Sequence, residues 1–561
     1  MSLDDDLIGD IGDEQDRRGF LALLGGGVAA AGVGGWFLTR DKARGAASEE
    51  GDAGPPQRGG HLIFAFDGAA VSKFALDPHN SGFAPHNRII RAVFDNLTVL
   101  KDDGSIGPWL AERWEVSDDG RSYVFHLRKG VTFHDGSAFD AAALKANFDR
   151  LGNPENALYS RTDIGSYAGS RVIDSHSLEY RLSEPFAPLL RNLTMTKLAI
   201  VSPAAVAKYG KTVGLNPVGT GPFRFDGLTP ATEVRLSRNA EYDWAPTTAG
   251  RSGPAWLDTL TFRNVPEEAT RVAVLESGQA GGADLVPPQN ISYFQGNPDF
   301  RVRRRELLET NYSLTFNTSK APWNDEDVRR AVRQGIDVDG IVKIVYLGTF
   351  QRAWSSLCPS MFASAETELR NSWRYDPVAA GRALDAKGWR VGPDGVRVKD
   401  GRRLTISFLD SQGNREKRLD VVELVRRQLA RIGVELAVDS IPSGSLLSRV
   451  QSNQYDMIGG ASFHADPDML RHAYDPLSRT AAAGNKVQDD AIIAWVRAAA
   501  QESDLAVRAD YYRKVQHRIV DRAYAIPIYI LPYNLVVASH VHGVVLDAHG
   551  FPDFYNGWIK A

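Results

Sequence analysis

The sequence predicts an α/β fold in which strands and helices alternate along the chain. Residues 62–66 form a continuous apolar run, which is typical of a strand that is buried on both faces. Residues 404–408 alternate apolar and polar side chains, as a strand with one buried face does. An apolar stripe at residues 421–432 leads directly into the apolar residues 434–438, which indicates a helix followed at once by a strand. Short joints of this kind favour sheets that are at least partly parallel.

The helices are predicted from the spacing of their apolar residues. One helix follows Asp140, a residue type that caps helix N-termini, and its apolar face includes Leu144 and Phe148. The stripe at 421–432 is closed by Gly433 at the expected C′ position. A further stripe at residues 512–519 precedes the apolar strand predicted at 526–530.

Composition excludes several classes of protein. The 561 residues are 43% apolar and 24% charged, which indicates a folded chain with more than one core and rules out a disordered or collagen-like chain. The 65 basic and 69 acidic residues give a net charge of −4, so no basic field favours a nucleic-acid partner. The single cysteine, Cys358, excludes an intramolecular disulfide and a thiolate metal cluster.

The N-terminal residues have the features of an export signal. Arg17 and Arg18 stand before Phe20 and Leu21, and a weakly apolar stretch of glycine and alanine follows at residues 23–38. This pattern resembles a twin-arginine export signal, and the stretch is short for a span of the bilayer. We therefore predict a signal at residues 1–47, a linker at 48–60 and a location in the periplasm. The alternatives are a hydrophobic N-terminal helix without export function and a signal that is not cleaved and tethers the protein outside the cytoplasm.

A longer pattern resembles a known family. Residues 110–120 read LAERWEVSDDG and residues 123–136 read YVFHLRKGVTFHDG, a hairpin followed by a second turn. These residues resemble the signature of the family 5 extracytoplasmic solute-binding proteins, the dipeptide, oligopeptide and nickel receptors of ABC importers. Further landmarks follow in family order across residues 58–561, among them 216–223, 322–332 and Asp466-Pro467-Asp468.

The resemblance implies the bilobed clamp of periplasmic binding proteins, a Venus-flytrap fold with a large discontinuous lobe in two subdomains and a second lobe. A solute is expected to bind in the cleft between the lobes, and closure is the signal that the permease subunits of the importer recognise. No covalent chemistry, catalytic residue, cofactor or metal is expected, and the protein is expected to be a monomer. The expected segments are lobe 1 subdomain a at 61–97, subdomain b at 98–216, subdomain a again at 217–316, lobe 2 at 317–530, and a return to subdomain a at 531–561.

The expected ligand is a peptide or a peptide-like solute. Receptors of this family that hold peptides often place an aspartate three residues before the Asp-Pro-Asp stretch, where it pairs with the α-amino group of the ligand. Here that position is Phe463. Because a buried ammonium without a carboxylate is costly, the ligand is expected to be a modified peptide, an amino-acid–sugar conjugate or a less cationic solute, unless His464 or Asp466 supplies the pairing.

Five residues are predicted to line the pocket, three by position in that loop and two by residue type and place. Asp67 follows the first predicted strand, at the end where ligands bind in open α/β sheets. Each residue also has a structural interpretation: Trp354 as core, His464 as a turn residue, Asp67 as a turn cap, and Asp466 as the start of an Asp-Pro turn. The predicted set is Phe463, His464, Trp354, Asp67 and Asp466.

The sequence gives little support to a phosphate-binding, metal or hydrolase site. Residues 205–212 match a permissive phosphate-loop pattern, but prolines and glycines interrupt the strand and helix that such a loop needs. His540, His542 and His549 are interpreted as surface residues because no carboxylate motif accompanies them. Hydrolase signatures are missing. The open alternatives are a nickel-chelate receptor of the same fold, a secreted hydrolase, and a membrane-tethered sensor that feeds a signalling partner.

Overall fold

The structure is a computed structural model that describes residues 54–68, 76–81, 84–411, 414–478 and 484–560. The predicted export signal at residues 1–47 lies outside these ranges, as does the first part of the linker. Within the described ranges, every helix is too short or too polar to cross a bilayer.

Strands make up most of the framework that positions the site. They are β1 (His61–Phe66), β2 (Thr98–Leu100), β3 (Ile106–Pro108), β4 (Ala111–Val116), β5 (Ser122–Leu127), β6 (Tyr167–Asp174), β7 (Ser177–Leu182), β8 (Phe223–Thr229), β9 (Glu233–Arg238), β10 (Thr259–Asn264), β11 (Gly282–Asp284), β12 (Phe300–Glu306), β13 (Tyr312–Phe316), β14 (Gln351–Arg352), β15 (Arg390–Val391), β16 (Arg397–Lys399), β17 (Arg402–Arg403), β18 (Thr405–Ser411), β19 (Glu435–Ile441), β20 (Met457–Gly460), β21 (Ala525–Ile530), β22 (Pro532–Ala538), β23 (Val541–His542), β24 (Val545–Leu546), β25 (Pro552–Asp553) and β26 (Trp558–Ile559).

The helices pack against these strands. They span Ala84–Val93, Ala141–Gly152, Leu189–Asn192, Pro203–Tyr209, Glu268–Glu276, Pro288–Gly296, Glu326–Gln334, Val338–Tyr346, Pro377–Ala386, Arg418–Arg431, Ser443–Gln451, Met469–Tyr474, Asp490–Gln501 and Leu505–Asp521. The predicted caps are confirmed: the Asp140 carboxylate accepts from the backbone N–H of Ala143 at 2.8 Å, and Gly433 has a φ of 76°.

Two large sheets organise the chain, and each contains the parallel pairs that the sequence predicts. The first has seven strands in the order β12-β22-β11-β1-β10-β9-β8, with β1 parallel to β10 and to β11. The second has six strands in the order β14-β21-β13-β20-β18-β19, with β18 parallel to β19 and to β20. A smaller antiparallel sheet, β4-β5-β7-β6, is built from residues 111–182. We call the part that contains the seven-stranded and four-stranded sheets lobe 1, and the part that contains the six-stranded sheet lobe 2.

One predicted segment boundary is wrong. Residues up to 316 are predicted from the sequence to belong to lobe 1, but β13 pairs with β20 and β21 in the six-stranded sheet. The chain therefore enters lobe 2 before Tyr312. A short apolar strand has the same pattern in either sheet, so its partner is set by tertiary contacts.

Close backbone contact explains one of the sequence motifs. A Cβ atom on Gly219 would lie 2.2 Å from the carbonyl oxygen of Val93, and the N–H of Gly221 donates to that same oxygen at 2.9 Å. Between them, the Thr220 hydroxyl donates to the buried carboxylate of Asp95 at 2.8 Å. Residues 216–223 thus join segments of lobe 1, because only glycine permits this approach.

Candidate functional site

The chain crosses between the two lobes twice, and the two crossings lie side by side. One crossing joins the end of β12 to the start of β13, and the other joins the end of β21 to the start of β22. The backbone N–H of Leu307 donates to the carbonyl of Leu531 at 3.3 Å, so the two connecting segments are in contact. Two neighbouring extended connections between rigid sheets have the geometry of a hinge.

Polar side chains collect at the edge of the first sheet that faces the hinge. The parallel strands β1, β10 and β11 end at this edge, with Asp67 and Gly68 after β1 and Asp284 at the end of β11. The backbone N–H of Gly68 donates to the side-chain oxygen of Asn264 at 2.8 Å, which ties the end of β1 to the end of β10. This edge is where ligands bind in open α/β sheets.

A buried arginine from helix Ala84–Val93 reaches the same edge. Arg88 Nε lies 2.5 Å from Asp284 Oδ2, and the Tyr533 hydroxyl donates to that oxygen at 2.5 Å. Arg88 and Asp284 are fully buried, yet Nη1 of the arginine and Oδ1 of the aspartate have no hydrogen-bond partner among the described residues. Each of these atoms can bond a polar group of a solute without breaking the existing contacts.

The opposing edge of the second sheet carries a second charged cluster. Glu416 is buried, and its carboxylate bonds Arg415 Nε at 2.8 Å, Arg418 Nη2 at 2.7 Å and the Tyr529 hydroxyl at 2.9 Å. Burial alone would raise the pKa of Glu416, but the two guanidinium groups outweigh it and lower the pKa to about 2. Arg418 also lies over the ring of Tyr312, 4.8 Å from its centroid.

Two glycines at the end of β20 make room for this cluster. A Cβ atom on Gly459 would lie 2.2 Å from the Tyr312 hydroxyl, whereas Gly460 has nothing within 4 Å of that position. The Tyr312 hydroxyl is buried without a hydrogen-bond partner among the described residues. The absence of side chains at the end of β20 thus leaves space beside Tyr312.

Direct contacts hold the two lobes together. Lys417, just beyond the end of β18, forms an ion pair of 2.7 Å with Glu268, in the first turn of the helix that follows β10. Elsewhere the backbone N–H of Ala187 in lobe 1 donates to the carbonyl of Ala500 in lobe 2 at 2.8 Å. The structure therefore describes the lobes in contact at two separate places.

Phe463 and Asp67, of the predicted pocket residues, lie at the facing edges. Phe463 is half-buried, its ring packs 4.8 Å from that of Phe551, and its backbone pairs with the connecting segment at Glu309. Asp67 is half-buried at the end of β1. That these two residues contact a solute stays a prediction, and their positions at the facing edges favour it.

Two further predicted residues make contacts within the protein. Asp466 is fully buried, and its two carboxylate oxygens accept from Arg508 at 2.9 and 2.5 Å. Trp354 belongs to a separate apolar cluster, where its ring lies 5.0 Å from that of Trp373 and Arg352 stacks on it. These contacts favour the structural interpretation of both residues, and their role in binding stays a prediction.

His464 connects the lobes and belongs to a buried polar group. Its Nε2 lies 2.8 Å from Asp163 Oδ1, and His472 Nδ1 approaches the same oxygen at 3.9 Å. Burial lowers the pKa of His472 to about 4, so this imidazole is neutral at pH 7. The other oxygen of Asp163 pairs with Lys197 at 2.9 Å.

The same group has donor atoms that could hold a metal ion, but its surroundings disfavour one. Asp163, His464 and His472 bring three possible ligand atoms within 4.8 Å of one another. The ammonium of Lys197 on the carboxylate and the guanidinium of Arg471, 3.1 Å from His472 Nε2, place two positive charges beside any cation. The group is better explained as a polar contact between the lobes.

The interpretation of the C-terminal histidines as surface residues is wrong for two of them. His542 is buried and stacks on Trp558 with ring centroids 4.4 Å apart. His549 is buried, and its Nε2 lies 3.0 Å from the hydroxyl of Thr194. Both therefore have structural partners that the sequence spacing did not indicate.

Most of the charged and polar residues at the facing edges are not among the pocket residues predicted from the sequence. Asp284 ends a strand in the same way as Asp67 follows one, so the rule that selected Asp67 could have found it. The others carried no local signal, because they meet only after the two lobes have folded. They are Arg88, Glu309, Glu416, Arg418 and Tyr533.

Comparison with known proteins agrees with this geometry. Residues 105–483, about two thirds of the chain, match the family described as bacterial extracellular solute-binding proteins, family 5 Middle. The glutathione-binding protein GsiB of Shigella dysenteriae is 28% identical over 479 residues, which cover 83% of this chain and 88% of that protein.

Solved structures show the same fold. The peptide STSA complex of the periplasmic binding protein DppA from Helicobacter pylori has a TM-score of 0.76 at 24% identity, covering 90% of this chain and 99% of its own. NikA from Brucella suis, solved with Fe(III)-EDTA, has a TM-score of 0.74 at 25% identity, covering 89% of this chain and 100% of its own. This chain is thus similar to bilobed periplasmic binding proteins over nearly its whole described length.

Proposed function

Because this chain belongs to family 5 of the bacterial extracellular solute-binding proteins, we propose that it captures a small peptide-like solute between its lobes and delivers it to the permease of an ABC importer. The observation that carries the proposal is the meeting of two charged sheet edges beside a double crossing of the chain. A solute that contacts both edges stabilises the closed form by its differential affinity for that form. Transport by such a receptor requires no bond to be made or broken in the solute.

The two edges suit a solute that carries both signs of charge. Arg88 in lobe 1 carries a buried guanidinium group and Arg418 in lobe 2 a half-buried one, and Asp284 and Glu309 are buried carboxylates near them. Glutathione is a zwitterionic peptide, and it is what the relative from Shigella dysenteriae is named for binding. We therefore take glutathione as the first candidate, ahead of a simple dipeptide. A metal chelate is the alternative within the fold, supported by the Fe(III)-EDTA complex of NikA.

The experiment starts with mass spectrometry of any solute that stays bound through native purification. The protein is then stripped of bound solute by reversible unfolding and titrated calorimetrically with glutathione, methionyl-leucine, alanyl-leucine and a nickel–histidine chelate. A one-to-one isotherm for a peptide, with a radius of gyration by X-ray scattering that falls on binding, is the expected result. Tight binding of the chelate alone would replace the peptide assignment, and turnover of a panel member would replace the receptor by an enzyme.

A bound solute must also stabilise the folded protein. Ligand that binds only the native state raises stability by RT ln(1 + [L]/Kd), which is about 2.7 kcal/mol at one hundred times Kd. The melting temperature is therefore expected to rise with the logarithm of ligand concentration. A melting temperature that does not move with a solute that appears bound by titration would contradict specific binding.

We also propose that the protein works outside the cytoplasm as a monomer and reaches that location by the twin-arginine route. The pair Arg17 and Arg18 before a weakly apolar stretch supports this route. Replacing both by lysine is expected to retain the protein inside the cell, as cell fractionation would measure. Export that continues unchanged would indicate a different route.

A further inference from the structure

The hinge contains a buried carboxylate with one oxygen that has no hydrogen-bond partner among the described residues. Glu309 lies between β12 and β13, is 6% exposed, and its Oε1 has no hydrogen-bond partner among the described residues. Its backbone is held firmly, because its carbonyl accepts from the N–H of Cys358 at 3.3 Å. A buried polar atom without a partner costs free energy, so its retention calls for an explanation.

The side chain of Glu309 stands beside that of Phe463. The two residues face each other across an isolated antiparallel bridge. On either side of the pair, Thr310 N donates to Ser462 O at 2.9 Å and His464 N donates to Leu308 O at 3.2 Å. The pair itself is therefore a non-hydrogen-bonded pair, in which the two side chains lie close together on one face.

The charges around Glu309 leave its carboxylate uncompensated. Burial and the neighbouring Glu416 raise its pKa to about 8, Arg418 and Arg415 act in the opposite direction, and Glu306 raises the pKa further. Both arginines are already bonded to Glu416, at 2.7 and 2.8 Å. The carboxyl group of Glu309 is accordingly mostly protonated at pH 7 in the absence of a cation.

We propose that Glu309 binds the ammonium group of the captured solute, with the ring of Phe463 beside it. This inference rests on the proposed function, since the hinge lies where the two charged edges meet. An ammonium group supplies the missing counter-charge and a donor for Oε1, whereas an anionic or purely acceptor group would face Glu416 and Glu306 as well. The solute class is therefore a peptide or amino-acid conjugate with a free amino group.

The test compares matched ligands that differ only in the amino group. Glutathione is paired with glutaryl-cysteinyl-glycine, and alanyl-leucine with propionyl-leucine, and each is titrated against the full chain and against Glu309→Gln. For the wild type, loss of the amino group is expected to weaken binding about 10- to 100-fold. For Glu309→Gln, the ratio of the affinity for the amine ligand to the affinity for its des-amino partner is expected to fall to a few-fold, because the amide cannot carry the counter-charge. We call this ratio the ligand ratio.

The number of protons released when an amine ligand binds is a second measurement, and it would not change if Glu309 had only a structural role. Binding of the ammonium at pH 7 requires the ionised carboxylate, so nearly one proton is expected to leave per amine ligand bound. Titration in buffers of different ionisation enthalpy measures this number. The des-amino ligands and Glu309→Gln are expected to release none.

A variant at a carboxylate outside the hinge serves as the control for Glu309→Gln. Glu326→Gln changes a half-buried carboxylate of lobe 2 that lies outside the hinge and pairs with Arg330 at 2.6 Å, and it is expected to leave the ligand ratio unchanged. An unchanged ratio in a Glu309→Gln protein with a normal melting temperature would overturn the inference and leave the receptor function intact. Amine binding without proton release would also overturn it. If no panel member binds, the peptide function itself fails, and this inference fails with it.

Discussion

The ion pair between Lys417 and Glu268 offers a direct test of closure. It joins the segment beyond β18 in lobe 2 to the helix beyond β10 in lobe 1, so it exists only while the lobes are together. The perturbations are Lys417→Met and Glu268→Gln, which keep the size of the side chains and remove one charge each. The double variant completes a thermodynamic cycle that isolates the interaction between the two residues.

The expected size of the effect follows from distance and exposure. The nitrogen and oxygen are 2.7 Å apart, and the side chains are 21% and 23% exposed, so water and salt still reach them. Ion pairs with such access contribute about 1 kcal/mol after desolvation. That free energy is about a five-fold change in the equilibrium between open and closed forms, and for a receptor that is mostly open without ligand, affinity weakens by the same factor.

The assay is calorimetric titration with the tightest peptide ligand of the panel, in 0.05 M and 0.5 M salt. Each single variant is expected to bind about five-fold more weakly at low salt, with a smaller difference at high salt because the charges are screened. Lys514→Met is the control, since that lysine pairs with a carboxylate on its own helix within lobe 2. Coupling energy near zero, with unchanged affinity in both single variants, would refute the view that this contact stabilises the closed form.

Three other substitutions have expected outcomes. Phe463→Asp is expected to raise affinity for free-amine dipeptides several-fold by adding a carboxylate at the hinge; unchanged calorimetric affinity in a folded variant would contradict the placement of this residue at the ligand. Glu416→Gln is expected to cost about 3 kcal/mol in the free energy of unfolding at pH 7, because it leaves two half-buried guanidinium groups without their buried carboxylate. The pKa of Glu416 is about 2 in the folded protein, below its ordinary 4.5, so the carboxylate stabilises the fold fully above pH 4.5 and loses this effect as the pH falls towards 2. If the difference in the free energy of urea unfolding between wild type and Glu416→Gln does not shrink in acid, the pairing is contradicted. Gly459→Ala is expected to cost about 1–3 kcal/mol, since its Cβ would lie 2.2 Å from the Tyr312 hydroxyl, whereas Gly460→Ala, with nothing within 4 Å, serves as the neutral control.

Helix caps and strands were predictable because the interactions that form them involve residues close together in the sequence. The caps at Asp140 and Gly433 act on backbone groups within four residues, and the structure confirms both. The apolar run at 62–66 became β1, a strand with parallel neighbours on each side. Periods of 2 and 3.6 residues therefore sufficed to identify strands, helices and the α/β class.

The candidate site was predictable only in part, because position in a loop does not reveal the partner of a side chain. The motif Asp466-Pro467-Asp468 pointed to the loop that carries Phe463 at the facing edges, but the Asp466 carboxylate is bonded to Arg508, 42 residues later. Trp354 is a predicted pocket residue, and it packs in a cluster with Trp373 that the sequence does not reveal. A chemically suitable residue type therefore does not by itself identify a ligand contact, and function must be argued from the geometry of the site.

The sequence by itself determined the class of fold, the order of its elements and the family to which the chain belongs, since each depends on patterns within short segments. The tertiary structure alone decided that β13 joins the second sheet, that Lys417 meets Glu268 and that Glu309 stands beside Phe463. These contacts join residues about 150 positions apart. Their formation depends on how two separate sheets meet at a hinge, and no local free energy distinguishes that arrangement from others.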